Sequence, residues 1–217
     1  MRYTQALSSD INPVAHAMRQ RLDSDDRIAF PFGLYDPVTY DCPPCDRKTS
    51  GGKFSIWDYR SEGERRTSDA LDLSIQGPAM VAGLAHRFNV GVLPTRYQAR
   101  FNRQAYNLVG VGSVDGLSRV PADPSLTDEQ TQRDERSTEW HLQDSIALNP
   151  QWSLFAGLRH TRLQRDSVRT DGSRATAYSQ GFTTPWLALS RAINAATQAY
   201  LSWGQGVESE VAPNRIR

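Results

Sequence analysis

Apolar and polar side chains alternate one by one along several stretches of this 217-residue chain, and this period of two limits its fold more than any other feature. In residues 68–76, Leu71, Leu73 and Ile75 share one face, and the residues between them are polar. Such alternation is typical of a β-strand whose two faces meet different surroundings. No long segment carries apolar residues at helical spacing. The sequence therefore predicts an all-β protein.

The connections between the predicted strands alternate between short and long. Short turns are predicted near residues 9–13, 77–82, 149–151 and 194–196, and long polar links near 23–53, 102–135 and 165–181. Soluble β-domains mostly use short connections. Transmembrane β-barrels instead have tight turns on one side and long loops on the other. The pattern favours about eight antiparallel up-and-down strands of a transmembrane β-barrel. We expect this barrel to be incomplete, with the eight strands forming part of a larger one.

Composition excludes two other classes of protein. The chain has 25 Lys and Arg against 24 Asp and Glu, a formal net charge of +1, so charge gives no support for nucleic-acid binding. The mean hydropathy is −0.58, and no apolar run approaches the ~20 residues of a transmembrane helix. Barrel strands need only ~10 residues each to cross a membrane.

No motif supports catalysis or metal binding. The four histidines, His16, His86, His141 and His160, lie on different predicted strands without ligand spacing. There is no nucleophile elbow, zinc-protease motif or phosphate-binding loop. We therefore expect no enzymatic activity, no catalytic residue, no bound metal and no cofactor.

Two strand pairs carry a family resemblance. Residues 135–148 form a predicted strand with a Gln-Asp pair, and residues 152–159 follow as a strand that ends in Gly-Leu-Arg. Residues 184–190 and 199–206 form a second pair that ends in Tyr-Leu-Ser-Trp-Gly-Gln-Gly. In order and spacing these pairs resemble the barrel of TonB-dependent outer-membrane receptors, the ferric-siderophore uptake family. The resemblance is clearest over residues 54–207.

The resemblance implies a partial receptor. Barrels of this class have ~22 strands, so about eight strands supply only part of the wall. The plug domain of the family has no counterpart in residues 1–217, and the N-terminus carries no secretory signal, so we expect a fragment. The implied function is binding and import of a ferric siderophore or similar iron chelate. The implied location is the cell outer membrane, in contact with its lipid, with TonB–ExbB–ExbD as partners of the intact receptor.

Aromatic and arginine side chains near the long loops are the candidate ligand contacts, because iron-loaded siderophores are often anionic and present flat faces. These residues are Trp57, Tyr59, Arg96, Tyr97, Arg100, Arg103 and Tyr106. Exposed aromatic and arginine side chains are also common on barrel rims, so a general rim role stays open. Trp152, beside a short turn, fits an interfacial aromatic girdle.

Cys42 and Cys45 are the only cysteines and lie in a predicted loop. The oxidising compartment that the resemblance implies favours a disulfide between them. Free thiols, or a redox or metal role, remain alternatives.

A soluble β-rich binding or surface module is the alternative function. In that protein the apolar faces that carry Leu71 and Val90 would meet each other across a core ~10 Å thick. In a barrel wall the same faces would meet lipid.

Overall fold

The computed structural model describes residues 2–4, 10–32, 53–113, 116 and 119–207. In chain order its strands are β1 (Arg2–Thr4), β2 (Asn12–Phe32), β3 (Lys53–Val81), β4 (Leu84–Arg100), β5 (Gln104–Ser113), β6 (Thr131–Ala147), β7 (Trp152–Arg169), β8 (Thr176–Asn194) and β9 (Thr197–Gly204). Within these residues there is no helix long and apolar enough to cross a membrane.

All of these strands belong to one antiparallel sheet with the order β1-β2-β3-β4-β6-β7-β8-β9. β5 pairs with the first part of β3, and β4 pairs with the second part of the same strand. β4 and β5 therefore fill one position together, and the sheet is eight positions wide. This open half-barrel confirms the prediction of an all-β, up-and-down architecture.

The two faces of the sheet differ in chemistry because the strands pair in register. Leu73 lies opposite Val92, and Val92 lies opposite Trp140. One face, called here the convex face, thus collects apolar side chains into an apolar band, which only the pair His86–Asp144 interrupts between Val90 and Ile146. The exposed members of this band include Leu71, Leu73, Ile75, Val81, Val90, Trp140, Leu142, Leu158, Leu187, Leu201 and Trp203. The other face, called here the concave face, carries the intervening polar residues, which along β3 and β6 are less exposed.

The apolar band lacks the cover that a soluble sandwich would give it. Leu73 and Ile75 keep 43% and 47% of their surface exposed. Every described strand lies in one sheet, so no second sheet packs on this face within the described residues. An apolar surface of this extent marks contact with a membrane or a partner. The structure thus gives no support to the soluble alternative.

The strands extend well beyond the apolar band, which corrects the predicted lengths of the loops. β3 alone has 29 residues, and β2 continues to Phe32 although residues 23–53 were predicted to be a link. The link predicted at 165–181 shrinks to six residues, because β7 ends at Arg169 and β8 begins at Thr176. Just beyond the band, over residues 19–27 of β2 and 60–69 of β3, most side chains on both faces are polar. The alternation that reveals a strand in the sequence is therefore lost there.

Ion pairs across β2 and β3 join the extended parts of these strands. The Arg19 Nε atom lies 2.8 Å from an Asp69 oxygen, and Arg27 Nε lies 2.6 Å from Glu62. Asp23 accepts hydrogen bonds from Arg21 and from Arg65. These two arginines, Arg21 first, lower the pKa of Asp23 to about 2. The charged residues that resembled a loop in sequence are thus partners across a sheet.

The hairpin between β3 and β4 is tighter than the predicted turn at 77–82. β3 continues to Val81, and only Ala82 and Gly83 connect it to β4. Both residues have positive φ, 50° and 78°. Two-residue hairpin loops with positive φ at both positions match the right-handed twist of the strands. The alanine is an unusual occupant, since its Cβ disfavours this conformation.

Candidate functional site

A β-bulge at Gly63 decides which side chains of β3 reach the concave face near the long loops. Ser24 pairs with Glu64 and Asp26 pairs with Ser61, so two residues of β3 lie opposite Asp25. Gly63 has a φ of 70°, which glycine adopts readily, and its amide donates a hydrogen bond of 2.6 Å to Asp25. The extra residue shifts the alternation of β3 by one.

Beyond the bulge, aromatic and aliphatic side chains gather on the concave face, where they form what we call the aromatic patch. Its residues make two rows across β2, β3 and β5, because each residue of β3 pairs directly with one from each neighbour. The rows are Ile28–Tyr59–Tyr106 and Phe30–Trp57–Leu108. The patch thus brings together three of the seven predicted contacts, Trp57, Tyr59 and Tyr106.

The rings of the aromatic patch contact each other and remain open to solvent. The ring centroids of Tyr59 and Tyr106 are 4.7 Å apart, and those of Phe30 and Tyr106 are 6.2 Å apart in an edge-to-face arrangement. Tyr106 and Leu108 each keep 53% of their surface exposed, and Ile28 keeps 52%. Packed but uncovered rings of this kind form a preorganised surface for a flat, partly apolar ligand.

Residues 123–125, which follow β5 in the chain, pack against the convex side of β3 and β5. The amide of Asp123 donates a hydrogen bond of 3.1 Å to Asp58, and Asn107 Nδ2 donates one of 3.0 Å to the carbonyl of Ser125. Asp58 is only 6% exposed and pairs with Arg60 at 3.0 Å. These residues therefore support the strands from the convex side, whereas Gln130 at the end of the same segment donates a hydrogen bond to Ser61 on the concave face.

The other four predicted contacts lie elsewhere. Tyr97 is on the concave face of β4, nearer to the apolar band than the aromatic patch is. Arg96 and Arg100 are on the convex face, where Arg100 pairs with Asp134 at 2.6 Å. Arg103 follows β4 and pairs with Glu129 at 2.7 Å. The structure does not bring these four residues to the patch.

Sequence reasoning missed two groups of residues on the concave face. Ile28, Phe30 and Leu108 complete the patch, and the alternation of Ile28 with Phe30 was the available signal. Arg66 and Arg133 lie on either side of the small residue Ala99, which pairs with both. These arginines required knowledge of the strand register, because 67 positions separate them in sequence.

The electrostatic settings of these two arginines differ. Arg66 pairs with Glu64 at 2.7 Å and lies over the ring of Phe101 at 5.1 Å from its centroid. Arg133 forms no ion pair within the described part of the chain. It therefore offers an uncompensated positive charge on the concave face between the aromatic patch and the apolar band.

The remaining candidate groups are the two cysteines and the possible metal ligands. The predicted disulfide between Cys42 and Cys45 lies outside the described residues. In the part of the chain that the structure describes, no three histidine, cysteine or acidic side chains converge on a possible metal position.

Comparisons with known proteins agree with this architecture. The family model described as TonB dependent receptor-like, beta-barrel, matches residues 8–214. No curated protein sequence matches the chain. Among solved structures, the chain is similar to the open form of the ferric-catecholate import receptor Fiu from E. coli K12, with 12% identity and a TM-score of 0.73. The match covers 94% of this chain and 34% of that one.

Two receptors of Acinetobacter baumannii are similar as well. The siderophore receptor PiuA has 17% identity and a TM-score of 0.61, over 94% of this chain and 31% of its own. The ferric preacinetobactin receptor BauA has 13% identity and a TM-score of 0.60, over 92% and 28%. At these identities the likeness shows the fold, and the chain spans about a third of the length of these receptors. Because the family model matches almost the whole sequence, the chain belongs to the TonB-dependent receptor-like β-barrel family, whose members are transport receptors of the outer membrane.

Proposed function

We propose that this chain forms part of the ligand-facing wall of an outer-membrane receptor that binds and imports a ferric siderophore or a similar iron chelate. The aromatic patch carries this proposal, because it places exposed rings on the concave face beyond the apolar band. The receptors with a similar fold are named for ferric catecholate, siderophore and ferric preacinetobactin, and this agrees with the same class of ligand.

The chemistry of the patch suits such a ligand. Catecholate and hydroxamate chelates present flat faces, and tyrosine and tryptophan rings offer large rigid contact areas with few rotatable bonds. Tyrosine hydroxyls add hydrogen-bond donors to anionic oxygens. Arg133, which has no acidic partner among the described residues, adds a positive charge on the same face for a chelate with net negative charge.

The apolar band sets the position of the chain in the membrane. From Leu71 to Val81, β3 advances ten residues, or about 34 Å at ~3.4 Å per residue. With a strand tilt of ~40° this corresponds to a height of about 26 Å, close to the ~25 Å apolar belt of outer-membrane barrels. Trp140 and Trp152 lie at opposite ends of the band, and Arg191 packs 5.2 Å from the Trp152 ring. In this position the aromatic patch lies outside the membrane, beyond the Leu71 end of the band and on the side of the long loops.

Import would require partners beyond this chain. The family works with TonB, and we propose the TonB–ExbB–ExbD complex as the energy source of the intact receptor. The iron chelate is cargo in this scheme, and no resident cofactor or catalytic group takes part. Trp57, Tyr59 and Tyr106 are the proposed contacts, whereas Arg96, Tyr97, Arg100 and Arg103 remain predictions without a place in the patch.

A binding experiment tests the proposal. The whole protein in detergent micelles is titrated with a ferric tris-catecholate chelate and, separately, with ferric citrate, and quenching of tryptophan fluorescence reports binding. We expect at least one chelate to bind, and Tyr59→Ala/Tyr106→Ala to weaken that binding at least tenfold, since two packed rings are lost. Tyr178→Ala/Tyr200→Ala is the matched control, because both tyrosines are exposed on the concave face away from the patch.

Two results would overturn the proposal. In one, neither chelate binds to the folded wild-type protein. In the other, the patch variant and the control variant lose the same affinity, which would show that the patch has no special role. Circular dichroism of each variant identifies loss of β-structure, so that a folding defect is not mistaken for loss of a contact.

A further inference from the structure

A row of four carboxamide side chains crosses the concave face at the level of the apolar band. Asn12 of β2 pairs directly with Gln76 of β3. Gln76 pairs with Asn89 of β4, which in turn pairs with Gln143 of β6. Direct partners on neighbouring strands share a face and lie ~4.8 Å apart, so these four side chains, called here the amide row, span about 14 Å.

The hydrogen-bonding groups of the amide row are largely unused. Within the described residues, the side chains of Asn12, Gln76 and Gln143 make no hydrogen bond. Asn89 Oδ1 lies 3.3 Å from His141 Nε2, which leaves the amide nitrogen of Asn89 free. Each carboxamide offers two N–H donors and one carbonyl acceptor. All four side chains are half-buried, and in this state they are available to a polar ligand.

An indole ring continues the amide row on the next two strands. Gln143 pairs with Gly157 of β7, and Gly157 pairs with Trp186 of β8. The Trp186 ring occupies the space that a Cβ of Gly157 would take. The indole therefore lies over the backbone of Gly157 and forms an aromatic platform at the end of the row.

The amide row and Trp186 border one open hollow of about 600 Å³, a volume typical of ligand sites. Arg87 and Phe155 border the same hollow, one row nearer to the short turns. The hollow is separate from the aromatic patch, because Gln76 follows Tyr59 by 17 residues along β3, which is about 50 Å at ~3.4 Å per residue.

The neutrality and the spacing of the amide row identify the class of ligand. An anionic ligand is best matched by charged partners, and the row itself carries none. Along an extended peptide, side chains on one face repeat every ~6.6 Å, which does not match the ~4.8 Å between the amides. Sugar hydroxyls both donate and accept hydrogen bonds, as carboxamides do. One pyranose ring in an extended oligosaccharide is also about as long as the spacing between neighbouring strands.

We propose that this hollow binds a neutral oligosaccharide, with its hydroxyls hydrogen-bonded to the amide row and one sugar ring stacked on Trp186. The C–H groups on the face of a sugar ring suit the electron-rich face of an indole. The site goes beyond the binding of an iron chelate at the aromatic patch and uses none of the residues of that patch. Either proposal can therefore fail without the other.

Calorimetric titration of the whole protein tests the site. The protein is held in micelles of lauryldimethylamine N-oxide, because a detergent with a sugar head group would compete for the hollow. Cellotetraose, glucose and tetra-alanine are titrated separately. We expect cellotetraose to bind at least tenfold more tightly than glucose, since several of its rings meet the row, and tetra-alanine to show no binding.

Substitutions in the hollow separate its two components. Gln76→Leu/Gln143→Leu removes two hydrogen-bonding groups at similar volume and is expected to weaken cellotetraose binding at least tenfold. Trp186→Ala is expected to do the same, whereas Trp186→Phe, which keeps a ring, should lose less. Gln20→Leu/Gln104→Leu is the matched control, because both glutamines are on the concave face outside the hollow, and less than a twofold change is expected.

Four results would refute an oligosaccharide site. They are no binding of millimolar cellotetraose to the folded wild-type protein, equal affinity for tetra-alanine, equal losses in the row and control variants, and loss of cellotetraose binding in Tyr59→Ala/Tyr106→Ala. Circular dichroism checks the fold of each variant. If the double glutamine variant loses β-structure, the single variant Gln143→Leu replaces it and is judged by the same comparison with the control.

Discussion

Replacement of Ile75 by arginine distinguishes a lipid-facing apolar band from a solvent-facing one. Ile75 is on the convex face and 47% exposed, and the next residue, Gln76, is on the concave face. An arginine at either position leaves the backbone pairing of β3 unchanged. The two variants therefore differ only in the face that receives the charge.

The expected cost of Ile75→Arg follows from the depth of this position in the band. Ile75 is four residues from Leu71, at one end of the band, and six from Val81, at the other. With ~3.4 Å per residue and a tilt of ~40°, Ile75 lies about 10 Å below one border and about 16 Å from the other. Arginine on the lipid face costs about 2–4 kcal/mol at the midplane and about 0–1 kcal/mol near the interfaces. We expect about 2–3 kcal/mol for Ile75→Arg.

The assay is urea unfolding of the protein in phospholipid vesicles, followed by tryptophan fluorescence. Gln76→Arg is the matched control and is expected to cost less than about 1 kcal/mol, since the concave face is polar. Equal costs for the two variants would refute the assignment of the convex face to lipid. A larger cost at Gln76 would show that the concave face is the buried one, as in a soluble sandwich.

Three further predictions concern local features. Ala82→Gly is expected to raise the free energy of unfolding by about 0.5–1 kcal/mol in urea titrations, because glycine adopts the φ of 50° at this turn position more readily. As the pH falls from about 4 towards 2, the pairing of Asp23 with Arg21 is expected to be lost, since the pKa of this carboxyl is lowered from 3.8 to about 2; urea titrations of Asp23→Asn should show a flatter pH dependence there. Gly157→Ala would place a Cβ in the space that the indole ring of Trp186 occupies, so we expect displacement of this ring and a changed tryptophan emission maximum, whereas an unchanged spectrum would contradict the close packing of Trp186 on Gly157.

The sequence alone was sufficient to predict the fold class, because the residues of the apolar band alternate with polar residues along each strand. Leu71, Leu73 and Ile75 alternate with polar residues where one face meets an apolar medium and the other does not. The pairing of β6 with β7 was equally predictable from the sequence, since a turn with Asn149 and Pro150 separates two alternating runs. The family resemblance depended on these same segments, and the family model confirms it.

The candidate site was harder to predict, because two of its determinants are not local in sequence. Ile28 and Phe30 follow a run of charged residues, which resembles a loop until the ion pairs to β3 are known. Arg133 reaches the same face as Arg66 only through the register of three strands. Composition and the spacing of residues along the chain do not indicate which strands are neighbours in the sheet.

The bulge at Gly63 links the membrane-facing part of β3 to its ligand-facing part. Between Leu71 and Ile75 the odd-numbered residues are on the convex face, whereas Trp57 and Tyr59, also odd-numbered, are on the concave face. Because side chains alternate strictly along a regular strand, an uninterrupted β3 would place these rings on the convex face. One extra residue thus allows a single strand to present aliphatic side chains to lipid and aromatic side chains to the interior, and the φ of 70° explains why glycine occupies that position.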